Sequence, residues 1–290
     1  MLLKNDKATA LPLAVPSRGN AGLKIAILGE LGNDVTAGKA RAAMLGSYTS
    51  DDGKIRVDSL FTAAANRSGI TVTSALGASP DSPAKSAEID AAKQAAAAAA
   101  DVAVVVVGDS LDTCGEFKDR SNLDLPGGQM ELLEAISQQR LAGTVQKVVL
   151  VLVTGRPATF GASTANAVLD GVDAILWAGR PGEEGAAAIW DVILGEVNPS
   201  GKLQANWPRS VGHVGSGSSP WLQSIRGKWV SNHRGSIDDD GRRYDNCECV
   251  ASCETFASAN AESQTERTAH ATLETTDVDD SNEPTPLFYL

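Results

Sequence analysis

The sequence predicts an α/β fold: a three-layer α/β/α sandwich on a mostly parallel sheet, followed by a largely disordered acidic tail. Three observations carry this. The runs Val102–Val107 and Val148–Val153 are apolar at every position instead of alternating, the pattern of strands buried on both faces. Strand-like and helix-like segments alternate at roughly the 30-residue spacing of βαβ units. Aromatic residues make up only 4% of the 290 residues, while small residues abound and let helices pack closely on a sheet.

Taken in order, residues 1–22 read as an extended lead-in, with Pro12 and Pro16 excluding a helix. Lys24–Leu28 is a short strand closed by Gly29, after which Gly32, Gly38 and Gly46 break the chain into irregular structure. Arg56–Ser68 sets Val57, Leu60, Phe61 and Ala64 on one helical face, and Ile70–Ser74 alternates as a strand. Ser86 serves as the N-cap of an Ala-rich helix ending near Ala100. The Val102–Val107 strand, a helix over Gln129–Leu141 and a strand over Gln146–Val153 follow. Pro157–Ala167 fits a short helix, Val172–Trp177 a strand, Ala186–Leu194 a helix and Lys202–Trp207 a last strand. The domain reading is therefore a lead-in at 1–22, a sandwich domain at 23–212 and a low-complexity, poorly ordered tail at 213–290.

Charge is concentrated at the end of the chain. Of the net −11, a share of −10 lies between Gly235 and Leu290, so the body is nearly neutral. Neither part suits nucleic acid or an anionic membrane surface as a partner. The tail composition buries too little apolar surface to offset an ordering cost of roughly 1–2 kcal/mol per residue. The longest apolar runs fall far short of the ~20 residues that span a bilayer, and the first residues lack the apolar core of a secretory signal. Cys114 stands alone, whereas Cys247, Cys249 and Cys253 cluster as C-x-C-x3-C, a spacing that fits no recognised zinc pattern. No cofactor and no metal are expected.

Chemistry is best sought after the Val102–Val107 strand, because open α/β sheets keep their ligands at the carboxyl ends of their strands. The loop there holds Asp109, Asp112, Glu116, Lys118, Asp119 and Arg120. Glu116, beside Phe117, is a candidate general acid: an apolar wall raises a carboxyl pKa, and neighbouring cations lower it again. The plainer reading is a solvated ion-pair cluster of Glu116, Lys118, Asp119 and Arg120 that fixes the loop. Gly29-Glu-Leu-Gly32 departs from the dinucleotide-binding fingerprint, and the two carboxylates of AGRPGEEG at 178–185 would repel a phosphate, leaving a tight strand-to-helix turn. No nucleophile elbow or P-loop is present, and three late histidines give little basis for a catalytic triad.

A run of motifs carries a resemblance. LLKND and LPL within 2–13, KIAILG at 24–29, ADVAVVVVG at 100–108 and GEFKDRSNLDLPGGQMELL at 115–133 occur in that order. They are followed by VVLVLVTGRP at 148–157, ILWAGRPGEEGAAAIWDVILGEVNPSGKL at 175–203 and NWPRS at 206–210. Together they resemble the α/β-sandwich domain of glycoside hydrolase family 3, the β-glucosidase and β-xylosidase type. The resemblance implies an oligosaccharide or glycoside substrate and a partner (β/α)8 barrel carrying an aspartate nucleophile, expected on sequence preceding this chain. It further implies that Glu116, in the pattern E-x-x-D-R-x-x-L-x-L-P, holds the position of the family's acid/base. Asp119 and Arg120 match the family's D-R pair and are expected to shape the loop or line the pocket. On this reading the chain is an incomplete part of a longer, often secreted, hydrolase and is inactive alone. Two alternatives stand beside it: a non-catalytic carbohydrate- or partner-binding α/β module, and a nucleotide- or flavin-binding doubly wound domain.

Overall fold

A computed structural model describes residues 1–6, 10–15, 22–33, 37–49, 54–99, 101–161, 165–203, 207–208, 236–237 and 243–244. Its strands are β1 (Leu2–Asn5), β2 (Leu23–Leu28), β3 (Ile70–Ala75), β4 (Val102–Gly108), β5 (Lys147–Val153) and β6 (Ala174–Trp177). Its helices are α1 (Ala37–Leu45), α2 (Leu60–Ala65), α3 (Ser86–Ala99), α4 (Gln129–Leu141), α5 (Ala165–Asp170) and α6 (Gly185–Ile193). The strands form one sheet in the order β1-β6-β5-β4-β2-β3. All its pairings are parallel except that of β1 with β6.

The apolar runs explain the layering. Along β4, Val105 and Val107 face one core with Leu132, Leu133 and Ile136 of α4 and Ala92 and Ala96 of α3. Val104 and Val106 face the other, with Met44 of α1, Leu60 of α2 and Trp190 and Ile193 of α6. A strand whose alternate side chains enter two different cores must be apolar throughout, and all seven residues of β4 are buried. Each such valine contributes roughly 1.5–3 kcal/mol of burial. The sheet therefore lies between two helical layers, and the predicted α/β/α sandwich is what forms.

Several local expectations are corrected. The lead-in is part of the sandwich: β1 pairs with β6 at the sheet edge, and Leu2, Leu11 and Leu13 are buried. The stretch after Gly32 is not irregular but holds α1, whose Ala40, Ala43 and Met44 are buried. Its turns carry Ala and few bulky apolar residues, so the periodicity is faint, and Gly46 ends it with a φ of +80°. The Arg56–Ser68 helix shortens to α2 because Ser59, not an earlier residue, caps it, accepting from the Thr62 N–H at 3.0 Å. Ser86 is the first residue of α3 instead of its cap. The first part of Pro157–Ala167 is extended, with Thr159 bridging to Asp124, and the helix starts only at Ala165.

Lys202 and Leu203 are not in a strand, and the next three residues lie outside the described ones. In the predicted poorly ordered tail, β7 (Ser236–Ile237) and β8 (Arg243–Tyr244) pair as a short antiparallel ribbon. The remainder of 213–290, including the Cys247, Cys249 and Cys253 cluster, lies outside the described residues. Among the described residues, no helix is long and apolar enough to cross a membrane.

Strand order sets where chemistry belongs. From β2 the chain moves outward to β3, then returns to β4 and continues to β5 and β6 on the other side. The crevice at the carboxyl ends of β2 and β4 is thus the switch point of the sheet.

Candidate functional site

The loop that leaves β4 is fixed at its root by a clasp of backbone and amide. Gly108 donates its N–H to Gln129 Oε1 at 2.8 Å, and Gln129 Nε2 donates to the Gly108 carbonyl at 2.8 Å and to Pro126 O at 2.8 Å. The two ends of the loop, Gly108 and the first residue of α4, are held together by one buried side chain. Gly108 is required there, since a Cβ would lie 1.9 Å from the Val153 carbonyl oxygen.

Above the clasp sits Asp109, 2% exposed. Its carboxylate accepts from Thr154 Oγ1 and faces Arg120 Nη1 at 3.2 Å and Arg156 Nε at 3.6 Å, while Thr113 Oγ1 lies 3.5 Å away. Its backbone carbonyl accepts from Arg180 Nη1 at 2.9 Å, and the same nitrogen donates to Ala43 O at 2.7 Å. A buried carboxylate persists only when paired and hydrogen-bonded, and removing one partner of such a pair costs about 3–5 kcal/mol.

The far side of the loop is tied by Asp124. Its carboxylate accepts from Thr159 Oγ1 at 2.5 Å and Gly161 N at 2.8 Å, and Arg120 Nη2 donates to its backbone carbonyl at 2.6 Å. Burial pushes the Asp124 pKa up. The hydrogen bonds from Thr159 and Gly161, with help from Asn122 and the Arg120 charge, outweigh it and hold the carboxyl below its ordinary 3.8.

A second network reaches the loop from the β2 side. Lys39 of α1 bridges Glu30 at 3.1 Å and Asp81 at 2.9 Å, and Asp81 in turn accepts from Ser110 Oγ. The hydrogen bond to Asp81, opposed by burial and then aided by Glu30, raises the Lys39 pKa.

Beyond these ties stands the tip. Glu116, Phe117, Lys118 and Asp119 are all exposed. Among the described residues, none of the carboxylates or ammonium groups of Glu116, Lys118 and Asp119 has an ion-pair partner. The expected Glu116–Lys118–Asp119–Arg120 cluster does not form, because Arg120 turns inward to Asp109. Phe117, expected as an apolar wall for Glu116, is 91% exposed, with a φ of +59° that a bulky side chain rarely adopts. Tyr48, 77% exposed, belongs to a segment that also approaches the tip, since a Cβ on Gly115 would lie 3.3 Å from Ser47 Oγ.

The root is a filled frame. The space among Asp109, Arg120, Asp124, Thr154 and Arg156 leaves no volume for a water molecule. Larger grooves of about 560 and 450 Å³ lie at the amino ends of the strands, beside Leu13 and Ala14, away from the switch point. No group of three or more His, Cys, Asp or Glu side chains gathers to hold a metal among the described residues.

Sequence reasoning thus found the loop and missed its anchors: Gln129, Thr154, Arg156 and Arg180. The signal was present as a repeated triplet, Gly-Arg-Pro at 155–157 and again at 179–181, each just past a buried strand. Both arginines converge on Asp109.

Comparison with known proteins adds a further line of support. Residues 1–241 match the family model described as the glycosyl hydrolase family 3 C-terminal domain. A β-xylosidase of Formosa agariphila is 42% identical over 119 residues, 41% of this chain and 15% of its own length. A β-xylosidase/α-L-arabinofuranosidase of Medicago sativa subsp. varia is 34% identical over 212 residues, 71% of this chain and 24% of its own. A periplasmic β-glucosidase of Salmonella typhimurium is 43% identical over 128 residues, covering 44% of this chain and 15% of that protein. Among solved structures, a β-glucosidase involved in saponin metabolism from intestinal bacteria aligns with TM-score 0.58 and 27% identity, over 73% of this chain and 32% of its own. This chain therefore spans at most about a quarter of the length of these curated relatives. The match over 241 residues, on the sheet order and motifs described above, places the chain in glycosyl hydrolase family 3, through its C-terminal domain.

Proposed function

We propose that this chain supplies the acid/base half of a retaining β-glycosidase site, with Glu116 as the acid/base, acting on β-xylosides or β-glucosides at the non-reducing end. The observation that supports it is the contrast within one loop. A root clamped at the switch point carries a tip whose glutamate is exposed and, among the described residues, has no ion-pair partner.

The chemistry needs two carboxyl groups about 5–5.5 Å apart. An aspartate, expected on a (β/α)8 barrel encoded outside this chain, attacks the anomeric carbon. The glycosidic C–O bond breaks, and its electron pair stays on the leaving oxygen, which takes the Glu116 proton. Water then attacks the glycosyl-enzyme ester, and Glu116 removes its proton, restoring both carboxyl groups. Drawing the two groups from separate surfaces allows each its own environment, so that one starts protonated and the other ionised. In this arrangement Asp119 faces the docked surface, and Arg120 shapes the loop through Asp109 and Asp124.

A second reading, a non-catalytic partner- or carbohydrate-binding module, is favoured by the filled root, where the space among Asp109, Arg120, Asp124, Thr154 and Arg156 has no room for a water molecule. One experiment separates the two. The full chain is joined behind the segment of the Formosa agariphila β-xylosidase that precedes the matched region. Glu116→Gln is then compared with the unaltered fusion on aryl β-xylosides of differing leaving group. Loss of about 10²-fold or more in kcat/KM on a poor leaving group, with little loss in kcat/KM on 2,4-dinitrophenyl, is the expected result. Equal activity of the two proteins on both substrates would discard the catalytic reading. The unfused chain is expected to turn over neither substrate.

A further inference from the structure

The structure assigns a second role within the same site: Asp109 is a positioning residue, whose buried carboxylate holds the shoulders of the loop so that Glu116 is presented in one place. This rests on the acid/base reading of Glu116.

Asp109 reaches both shoulders. Thr113, three residues before Glu116, and Arg120, four residues after it, both point at the same carboxylate. Arg120 does not stop there, because its second nitrogen grips the Asp124 carbonyl. One guanidinium therefore spans two anchor points through two separate nitrogens, a planar fork that the single nitrogen of an ammonium does not reproduce. The start of the loop is pinned independently: Cys114 N–H donates to Ser110 O at 3.1 Å, and Ser110 is tied through Asp81 to Lys39. Between the shoulders only a turn remains, Lys118 N–H to Gly115 O at 3.2 Å. The path of the tip is set by where its shoulders are held.

Charge makes Asp109 indispensable to that hold. It is the carboxylate that Arg120 and Arg156 share, and among the described residues Arg180 donates to carbonyl oxygens, with Nη2 buried and unpartnered. An isosteric amide in its place leaves two guanidiniums facing each other across a filled space. Arg120, which adjoins the exposed residues of the tip, is the group that leaves.

The test has two arms. In the full 290-residue chain, Asp109→Asn is expected to speed amide exchange at 113–120 by about 10-fold or more, while β4 and β5 amides keep their protection. Uniform acceleration across the sheet, or none at the loop, overturns the assignment. In the fused enzyme, Asp109→Asn is expected to lower kcat/KM about 10²-fold on a poor leaving group and less than about 5-fold on 2,4-dinitrophenyl.

In a Glu116→Gln background, Asp109→Asn should add no further leaving-group penalty, because both act on the same proton transfer. Additive losses would mean a merely structural role. If Asp109→Asn does not fold, Arg120→Lys stands in. It keeps the charge, severs one of the two ties, and is expected to show the same selective loss at smaller size. Should Glu116→Gln itself lack leaving-group selectivity, the acid/base reading fails, while the exchange arm still decides whether Asp109 holds the loop.

Discussion

The root and the tip of one loop, separated by a few residues, follow opposite rules. At the root the polar groups of Gly108, Asp109 and Asp124 are answered. Gly108 and Gln129 exchange hydrogen bonds, Asp109 is surrounded by donors, and Asp124 binds the next loop. At the tip Glu116, Lys118 and Asp119 reach into solvent and Phe117 is almost fully exposed, in a backbone conformation unusual for it. Binding and catalytic residues commonly sit on loops that a rigid scaffold positions, and strain concentrates at such places. The difference teaches that the stability of this region is invested at the root, while the residues at the tip are left available to whatever covers them.

Substitutions can break this contrast in graded steps. The largest effect is expected at Gly108→Ala, where the added Cβ would meet a backbone oxygen at 1.9 Å. Urea unfolding should show a loss of about 3 kcal/mol or more, and a loss under about 1 kcal/mol would mean that the root yields easily. Gln129→Leu keeps bulk but abandons Gly108 N–H, Gly108 O and Pro126 O. It should cost about 2–3 kcal/mol by the same measurement.

Asp124→Asn sharpens the comparison through pH. The Asp124 carboxyl is held below 3.8 in the fold, so its contribution is full above that ordinary value and disappears as pH falls through the lowered one. The wild type should therefore lose stability faster than the Asn variant as the medium is acidified below about pH 4. Parallel acid profiles would show that Asp124 is not an anchor. At the tip, Phe117→Gly and Glu116→Gln should each leave stability within about 0.5 kcal/mol of wild type, since both side chains are exposed and Glu116 has no ion-pair partner among the described residues. A large loss at either would erase the distinction between root and tip.

How much of this was legible in the sequence follows from the range of each interaction. The core strands were readable because a strand buried on both faces must be apolar throughout, as Val102–Val107 is. The helix over Gln129–Leu141 was placed to the residue by the Leu-Pro-Gly-Gly punctuation before it and its local period. By contrast, α1 was invisible because its buried face is built from Ala40, Ala43 and Met44, which read equally well as irregular chain. β1 was unreadable as a sheet member because its partner, β6, lies about 170 residues away.

The same holds for the site. The carboxylates of 109–120 stood out locally as a charged loop after an apolar strand. Which of them would be buried depended on Arg156 and Arg180, supplied by the ends of two other strands. Local charge pairing favoured Glu116 with Lys118 or Arg120, but Arg120 gains more from the desolvated, multiply bonded Asp109 than from an exposed neighbour.

The central claim, that Glu116 is the proton donor and acceptor of a retaining mechanism, is tested most directly by azide added to Glu116→Ala in the fused enzyme. With 2,4-dinitrophenyl β-xyloside the leaving group needs no protonation, so the glycosyl-enzyme should form and then persist for want of a base. Azide needs no base and should restore turnover, releasing β-xylosyl azide. Turnover that matches the unaltered enzyme without azide, and gives no glycosyl azide with it, would contradict the account.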